Sequence, residues 1–236
     1  MNSLARLMQD IAVRCPANRL PDDYLVIDIE TNGFHWNPPL GEKPNVVVQV
    51  GYAVVRGRRL IANSAHYIKR PPGTMVGEAK EVTGITDEIL MSKGEDPQNF
   101  YSRFLTLLEL FRNNHLMIVG HNIMRFDAPF LEADLRRQGL EFSFTPNELI
   151  DTGCTFKAVN VGVSIGPAET LHSFFNRIYS LRSHIKWRLE YAVAHLGIDK
   201  QYDLDLEKAH DAAFDCYLTH LLFEQLRKNA ERPDAY

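Results

Sequence analysis

Asp28 and Glu30 stand two residues apart at the end of an apolar run, Tyr24-Leu-Val-Ile-Asp-Ile-Glu30. Side chains alternate along an extended strand, so both carboxylates share a face with Val26. Neighbouring carboxylates repel each other unless a proton or a cation lies between them. A hard divalent cation such as Mg²⁺ takes oxygen ligands of this kind, with water completing its shell. The simpler alternative is that both acids point into solvent beyond the strand's end. A look-alike run, Asp203-Leu-Asp205-Leu-Glu207, reads as a loop and lacks the central glycine and terminal glutamate of a calcium-binding loop.

A third acid, Asp127, closes the segment Val119-Gly-His-Asn-Ile-Met-Arg-Phe-Asp127 and opens the helical spacing of Phe130, Leu131 and Leu135. Asp caps helices well, so capping and ligation are both open to it. A fourth, Asp215, shares a helical stripe with Leu218, Leu222 and Leu226. An ionised carboxylate beside such a stripe is costly unless paired or metal-bound. Ala212 and Ala213 leave room beside it. His210, just ahead, is of the residue type that exchanges protons near neutral pH, which suits a general base; a surface or capping role is the alternative.

Apolar periodicity predicts the elements that must carry these residues. Leu4, Leu7, Met8 and Ile11 predict a docked amphipathic helix over 3–14. Tyr24–Glu30 reads as a strand covered on both faces. Runs at 46–55 and 59–68, joined by Arg56–Arg58, suit a hairpin. Phe100, Phe104, Leu107, Leu108 and Phe111 predict a helix over 97–113. A short strand at Leu116–Val119, a helix over 128–138 and a last helix from about Ala209 to Lys228 follow. Hairpin strands first, then strands alternating with helices, describe one α/β domain with a mixed sheet. Residues 157–186 stand apart as an insertion rich in Phe174, Phe175, Arg177, Tyr179, Arg182, His184 and Lys186. They read either as a basic, aromatic surface or as an amphipathic helix hiding Phe174, Phe175 and Leu181.

Taken together, Asp28-Ile-Glu30-Thr31, Asn122-Ile-Met-Arg-Phe-Asp127 and His210-x-Ala-x-x-Asp215 resemble the DEDDh 3′→5′ exonucleases, the family of proofreading subunits, RNase T, oligoribonuclease and exonuclease I. The likeness runs from about Tyr24 to Leu226. Val48-Gln-Val-Gly51, Val82-Thr-Gly-Ile-Thr-Asp87, Leu149-Ile-Asp-Thr152 and Trp187-Arg-Leu-Glu-Tyr191 resemble the family's further landmarks. Thr83 stands where many members have His. The Arg125-Phe-Asp127 wording, one residue longer than the commonest spacing, is most similar to the exonuclease I branch. The resemblance implies an RNase H-like mixed β-sheet with helices on both faces. It implies a single exonuclease domain over 23–230, preceded by an N-terminal helical extension over 1–22.

It also implies a mechanism. Asp28, Glu30, Asp127 and Asp215 would hold two Mg²⁺ ions, or Mn²⁺ in their stead, about 3.5–4 Å apart. His210 would take a proton from the attacking water, and the product would be a nucleoside 5′-monophosphate. Thr31 and Phe34 would meet the 3′-terminal nucleotide, Phe34 as an apolar wedge unless it simply packs within its loop; Trp36 is a weaker candidate there. Asn122 and Arg125 would touch the substrate backbone, although Asn122 could equally tie down its own turn. Arg182 and Lys186 would jointly offer a single-strand surface. The partners implied are single-stranded DNA or RNA 3′ ends. The exonuclease I-like wording favours DNA, but discrimination rests on 2′-OH contacts that spacing does not reveal. Proofreading or DNA repair would need a separate polymerase or repair partner.

The bulk composition fits this reading. The chain has 236 residues, with 26 Lys+Arg against 30 Asp+Glu, a net charge of −4. That excludes a protein that coats nucleic acid by bulk charge, while leaving room for a local basic groove. No run approaches the roughly 18 apolar residues of a membrane span. Three cysteines, Cys15, Cys154 and Cys216, and the lack of a secretory signal pattern fit a reducing, cytoplasmic compartment. Two other readings compete. Gly162-Val-Ser164-Ile-Gly166 fits the nucleophile elbow of a serine hydrolase, with His195, His210 or His220 as base. It leaves the four acids unexplained. A non-catalytic nucleic-acid-binding module on the same fold would be expected to have lost one or more of those acids.

Overall fold

A computed structural model describes residues 3–15, 19–41, 43–75, 77–145 and 147–231. The helix α1 (Ser3–Ala12) precedes β1 (Tyr24–Thr31), β2 (Val47–Arg56) and β3 (Arg59–Tyr67). Three helices follow, α2 (Gly77–Thr83), α3 (Asp87–Lys93) and α4 (Pro97–Asn113), then β4 (Met117–Gly120) and α5 (Asp127–Arg137). The chain continues through β5 (Leu149–Asp151), α6 (Thr152–Asn160), α7 (Leu171–Ser180), α8 (Leu189–His195), α9 (Ile198–Tyr202) and α10 (Ala212–Glu231). No helix among the described residues is long and apolar enough to cross a membrane.

The strands form one mixed sheet in the order β3-β2-β1-β4-β5. β1, β2 and β3 are antiparallel neighbours, whereas β1–β4 and β4–β5 are parallel. Gly57 and Arg58, both at positive φ, make the tight turn between β2 and β3. Alternation along β1 sends Tyr24 and Val26 into an apolar cluster with α1, α6, α7, α8 and α10. It sends Leu25, Ile27 and Ile29 into a second cluster with α4 and α5 on the opposite face. The strand is buried on both sides, which is why its sequence is almost uniformly apolar. This is the α/β, RNase H-like sheet with helices on both faces.

Several boundaries differ from the sequence reading. The last helix begins at Ala212 rather than Ala209, because His210 turns out of helical space at φ 71°. Leu4, Leu7, Met8 and Ile11 of α1 join the larger core cluster, and Arg14 ties that helix to the carbonyls of Gly166 and Glu169. Within 157–186 the aromatic and basic residues part company. Phe174 and Phe175 are fully buried on α7, while Arg182, His184 and Lys186 are exposed after it. The hydrolase elbow fails on its context: Ser164 follows the helix α6 rather than a strand, and its carbonyl accepts a hydrogen bond from Arg177.

Candidate active site

The crevice opens where β1 outruns its parallel neighbour. Pairing of β1 with β4 ends at Val26↔Val119, so the N–H of Ile29 has no strand partner on that side. It donates instead to Asp127 Oδ1 at 3.0 Å, which draws the start of α5 onto β1 beside Asp28 and Glu30. Asp127 is therefore the first helical residue, not the cap; Phe126 holds the cap position without a side-chain bond. Asp28 and Glu30 face away from Ile29, towards α10, as period two requires.

α10 reaches them through two features of β2. Gly51 pairs with Asp28, and a Cβ on Gly51 would stand 2.2 Å from the carbonyl oxygen of Ala212. Only a bare backbone lets the helix start come so close. Gln49 Oε1 accepts the N–H of Ala212 at 3.1 Å, and its Nε2 donates to Asp211 Oδ2 at 3.3 Å, so Gln49 caps the helix from the sheet. Asp215 then lies one turn in, buried, with Oδ2 accepting the N–H of His210 at 3.1 Å. That bond holds His210 in left-handed backbone space, a conformation that costs about 1–3 kcal/mol for a non-glycine residue.

Ligand atoms of Glu30, His210 and Asp215 lie within 4.8 Å of one another. Asp28 and Asp127 line the same cavity, of about 720 Å³, with Thr31, Phe34 and Asn122. Burial pushes all four carboxyls up. Asp28 is driven well above the usual range by burial and then by Asp215, Asp127 and Glu30; Glu30 is pushed up to about 9 by burial and then by Asp215, Asp127, Asp211 and Glu190. Asp127 is pushed up to about 8 by burial, against its bond from Ile29, and Asp215 to about 7 by burial, against its bond from His210. Asp215 Oδ1 is buried with no hydrogen-bond partner. An acid-rich donor set with an orphaned buried oxygen fits a hard divalent cation, which would satisfy that oxygen and cancel the repulsion.

The remaining expected residues divide. Phe34 is 74% exposed, its ring 6.3 Å from that of Phe126, so it is not buried in its own loop. Thr31 donates to the Gly33 carbonyl, fixing the turn that presents Phe34. Asn122 sits at φ 67°, and its backbone N–H donates to buried Asp151, whose carboxylate also takes the Tyr179 hydroxyl and the Cys154 N–H; the residue itself lines the cavity. Arg125 does not line the cavity; its guanidinium stacks over Tyr179 at 4.5 Å. Arg182 and Lys186 are exposed on the stretch leading to Trp187 and Arg188, which do line it. Asp203, Asp205 and Glu207 are exposed, and Asp205 caps the short turn 206–208. Sequence reasoning did not single out Glu190, whose Oε1 lies 3.5 Å from His210 Nε2, nor Gln49; both depend on elements meeting far apart in the chain.

The strand order, the two helical layers and acids gathered at the strand ends define an RNase H-like α/β domain. The chain belongs to the DEDDh 3′→5′ exonuclease family: the RNase T family model, described as Exonuclease, matches residues 25–223. It is 24% identical over 220 residues to a PolC-type DNA polymerase III of Halalkalibacterium halodurans, covering 92% of this chain and 12% of the relative. It is 28% identical over 142 residues to the PolC-type DNA polymerase III of Mycoplasma genitalium, covering 58% and 8%. The chain thus spans a small part of these relatives. Among solved structures it is similar to E. coli exonuclease I in complex with a dT13 oligonucleotide, at a TM-score of 0.64 and 20% identity over 90% of this chain and 42% of the other. A zinc-bound E. coli exonuclease I–single-stranded DNA complex gives a TM-score of 0.61 and 21% identity, with the same coverage.

Proposed function

We propose that this chain is a metal-dependent 3′→5′ exonuclease that shortens single-stranded DNA, releasing nucleoside 5′-monophosphates. The observation that carries the reading is the convergence of four acids and a histidine on one cavity, with the Asp215 oxygen left buried and unpartnered. The single-stranded DNA complexes of the similar exonuclease I support DNA over RNA.

Asp28, Glu30, Asp127 and Asp215 would hold two Mg²⁺ ions, with Mn²⁺ as substitute. When bound, such ions supply Lewis acidity and lower the pKa of water. His210 accepts the proton of the attacking water, and Glu190 Oε1, 3.5 Å from its Nε2, holds the ring in place. The water oxygen bonds to phosphorus as the bond from phosphorus to the 3′-oxygen breaks, and that oxygen takes a proton from solvent. Phe34, beside Phe126, stacks against the terminal bases, and Thr31 and Asn122 shape the seat of the 3′ nucleotide. Arg182 and Lys186 supply charge for the strand's phosphates at the rim. Arg125, stacked on Tyr179, braces the turn behind Asn122 rather than meeting substrate.

Product analysis tests this. Single-stranded DNA in Mg²⁺ should release nucleoside 5′-monophosphates, faster than RNA of the same sequence. Release of internal oligonucleotides or of nucleoside 3′-phosphates would contradict it.

A further inference from the structure

A second concavity, of about 430 Å³, lies between the 36–44 loop and α5. Trp36, Leu40 and Pro44 line it from the loop; Arg136 and Arg137 line it from the helix. Trp36 is 37% exposed and Leu40 projects fully into solvent. The two arginines are not equivalent. Arg137 pairs with buried Asp134 and donates to the Trp36 carbonyl, fastening the loop to the helix. Arg136 is exposed and makes no ion pair among the described residues.

This groove continues the catalytic cavity. Phe34 and His35 line the cavity and Trp36 lines the groove, so the two begin within about 7 Å along the backbone. His35 and Asn45 close the neck of the loop. The Asn45 N–H donates to the His35 carbonyl at 2.8 Å, and the His35 N–H donates to Asn45 Oδ1 at 2.8 Å. Trp187, which lines the cavity, is committed, its ring held against His121, Tyr179 and Lys157. The 34–44 side therefore offers both an available indole and an unpaired cation.

We infer that the groove binds the single strand upstream of its 3′ end, with one base stacked on Trp36 and a phosphate on Arg136, an inference that rests on the exonuclease reading. A strand whose end occupies the cavity must leave across its rim. An aromatic face with an adjacent guanidinium holds any base sequence, because every base has a π-face and every nucleotide a phosphate. The catalytic site thereby gains affinity for chains over dinucleotides.

The test is binding in EDTA, where nothing is cleaved. A labelled oligothymidylate of about eight nucleotides, followed by anisotropy, should bind and quench tryptophan emission, and Trp36→Phe should lose that quench. Thymidine dinucleotide should leave the emission unchanged. Arg136→Glu should weaken binding of the longer chain about tenfold at an unchanged thermal midpoint. The inference is overturned if the longer chain saturates the protein without quenching that depends on Trp36, if it does not bind, or if Arg136→Glu binds like the parent. The exonuclease reading fails separately, if a bound chain is not shortened in Mg²⁺.

Discussion

Gly51 and Ala212 meet backbone to backbone: a Cβ on Gly51 would lie 2.2 Å from the Ala212 carbonyl oxygen. Gly51 is paired with Asp28, and Ala212 begins the helix that carries Asp215. The contact therefore sets the distance between two of the four acids. Gly51→Ala should push the start of α10 off the sheet, at an overpacking cost of about 1–3 kcal/mol. It should lower kcat about a hundredfold, as misplacement of a positioned group does. Thermal melts and single-turnover rates check this; wild-type kcat with a lowered melting point would show that the contact serves stability alone.

The metal-free protein should lose stability as pH rises. Glu30, Asp127 and Asp215 are raised to about 9, 8 and 7, so between about pH 4.5 and 9 the folded state binds more protons than the unfolded one. The stabilising contribution is complete below the unfolded value and disappears as pH passes through the folded values. Melts in EDTA from pH 5 to 9 should fall steadily, and saturating Mg²⁺ should flatten the slope. A flat EDTA profile would contradict this.

Asp127→Asn separates charge from architecture. An amide oxygen can still accept the Ile29 N–H, so the fold should persist, with a higher melting point than the parent in EDTA at pH 9. The rise in melting point on adding Mn²⁺ should shrink, because ligand-linked stabilisation follows affinity. An undiminished rise would remove Asp127 from the metal site.

Tyr179→Phe should act at a distance. Its hydroxyl donates to buried Asp151, which also holds the Asn122 N–H and so the turn at the cavity's edge. A buried carboxylate short of one donor costs about 1–3 kcal/mol, or about 2–4 °C per kcal/mol at this size. KM should rise more than kcat falls. An unchanged KM would show that the Asn122 turn holds without this bond.

Phe34→Ala should leave the melting point alone, because the ring is 74% exposed. Losing a stacking partner worth about 1–3 kcal/mol should lower kcat/KM by about tenfold or more. Equal kcat/KM would remove the wedge.

Much of this site was legible from one strand and one helix. Period two put Asp28 and Glu30 on one face, and the stripe through Leu218 and Leu222 put Asp215 at the core edge. The mixed sheet followed from the hairpin and the alternation after it. What local pattern could not show was tertiary. Gln49 looks like an ordinary strand residue until Ala212 arrives above it. Asp127 looks like a cap until β4 is seen to stop short and leave the Ile29 N–H free to bond it. Nor does local pattern place Tyr179 beneath the Arg125 guanidinium, far along the chain from the turn it supports.

On the proposed function, Asp28, Glu30, Asp127, Asp215 and His210 form one exonuclease site. A time course with 5′-labelled single-stranded DNA, in Mg²⁺ and in EDTA, tests it most directly, with Asp28→Asn and His210→Ala alongside. The expected result is a ladder shortening from the 3′ end in Mg²⁺, absent in EDTA, and slowed at least about a hundredfold in both variants. An intact strand in Mg²⁺, or a ladder that survives EDTA or either substitution, would contradict it.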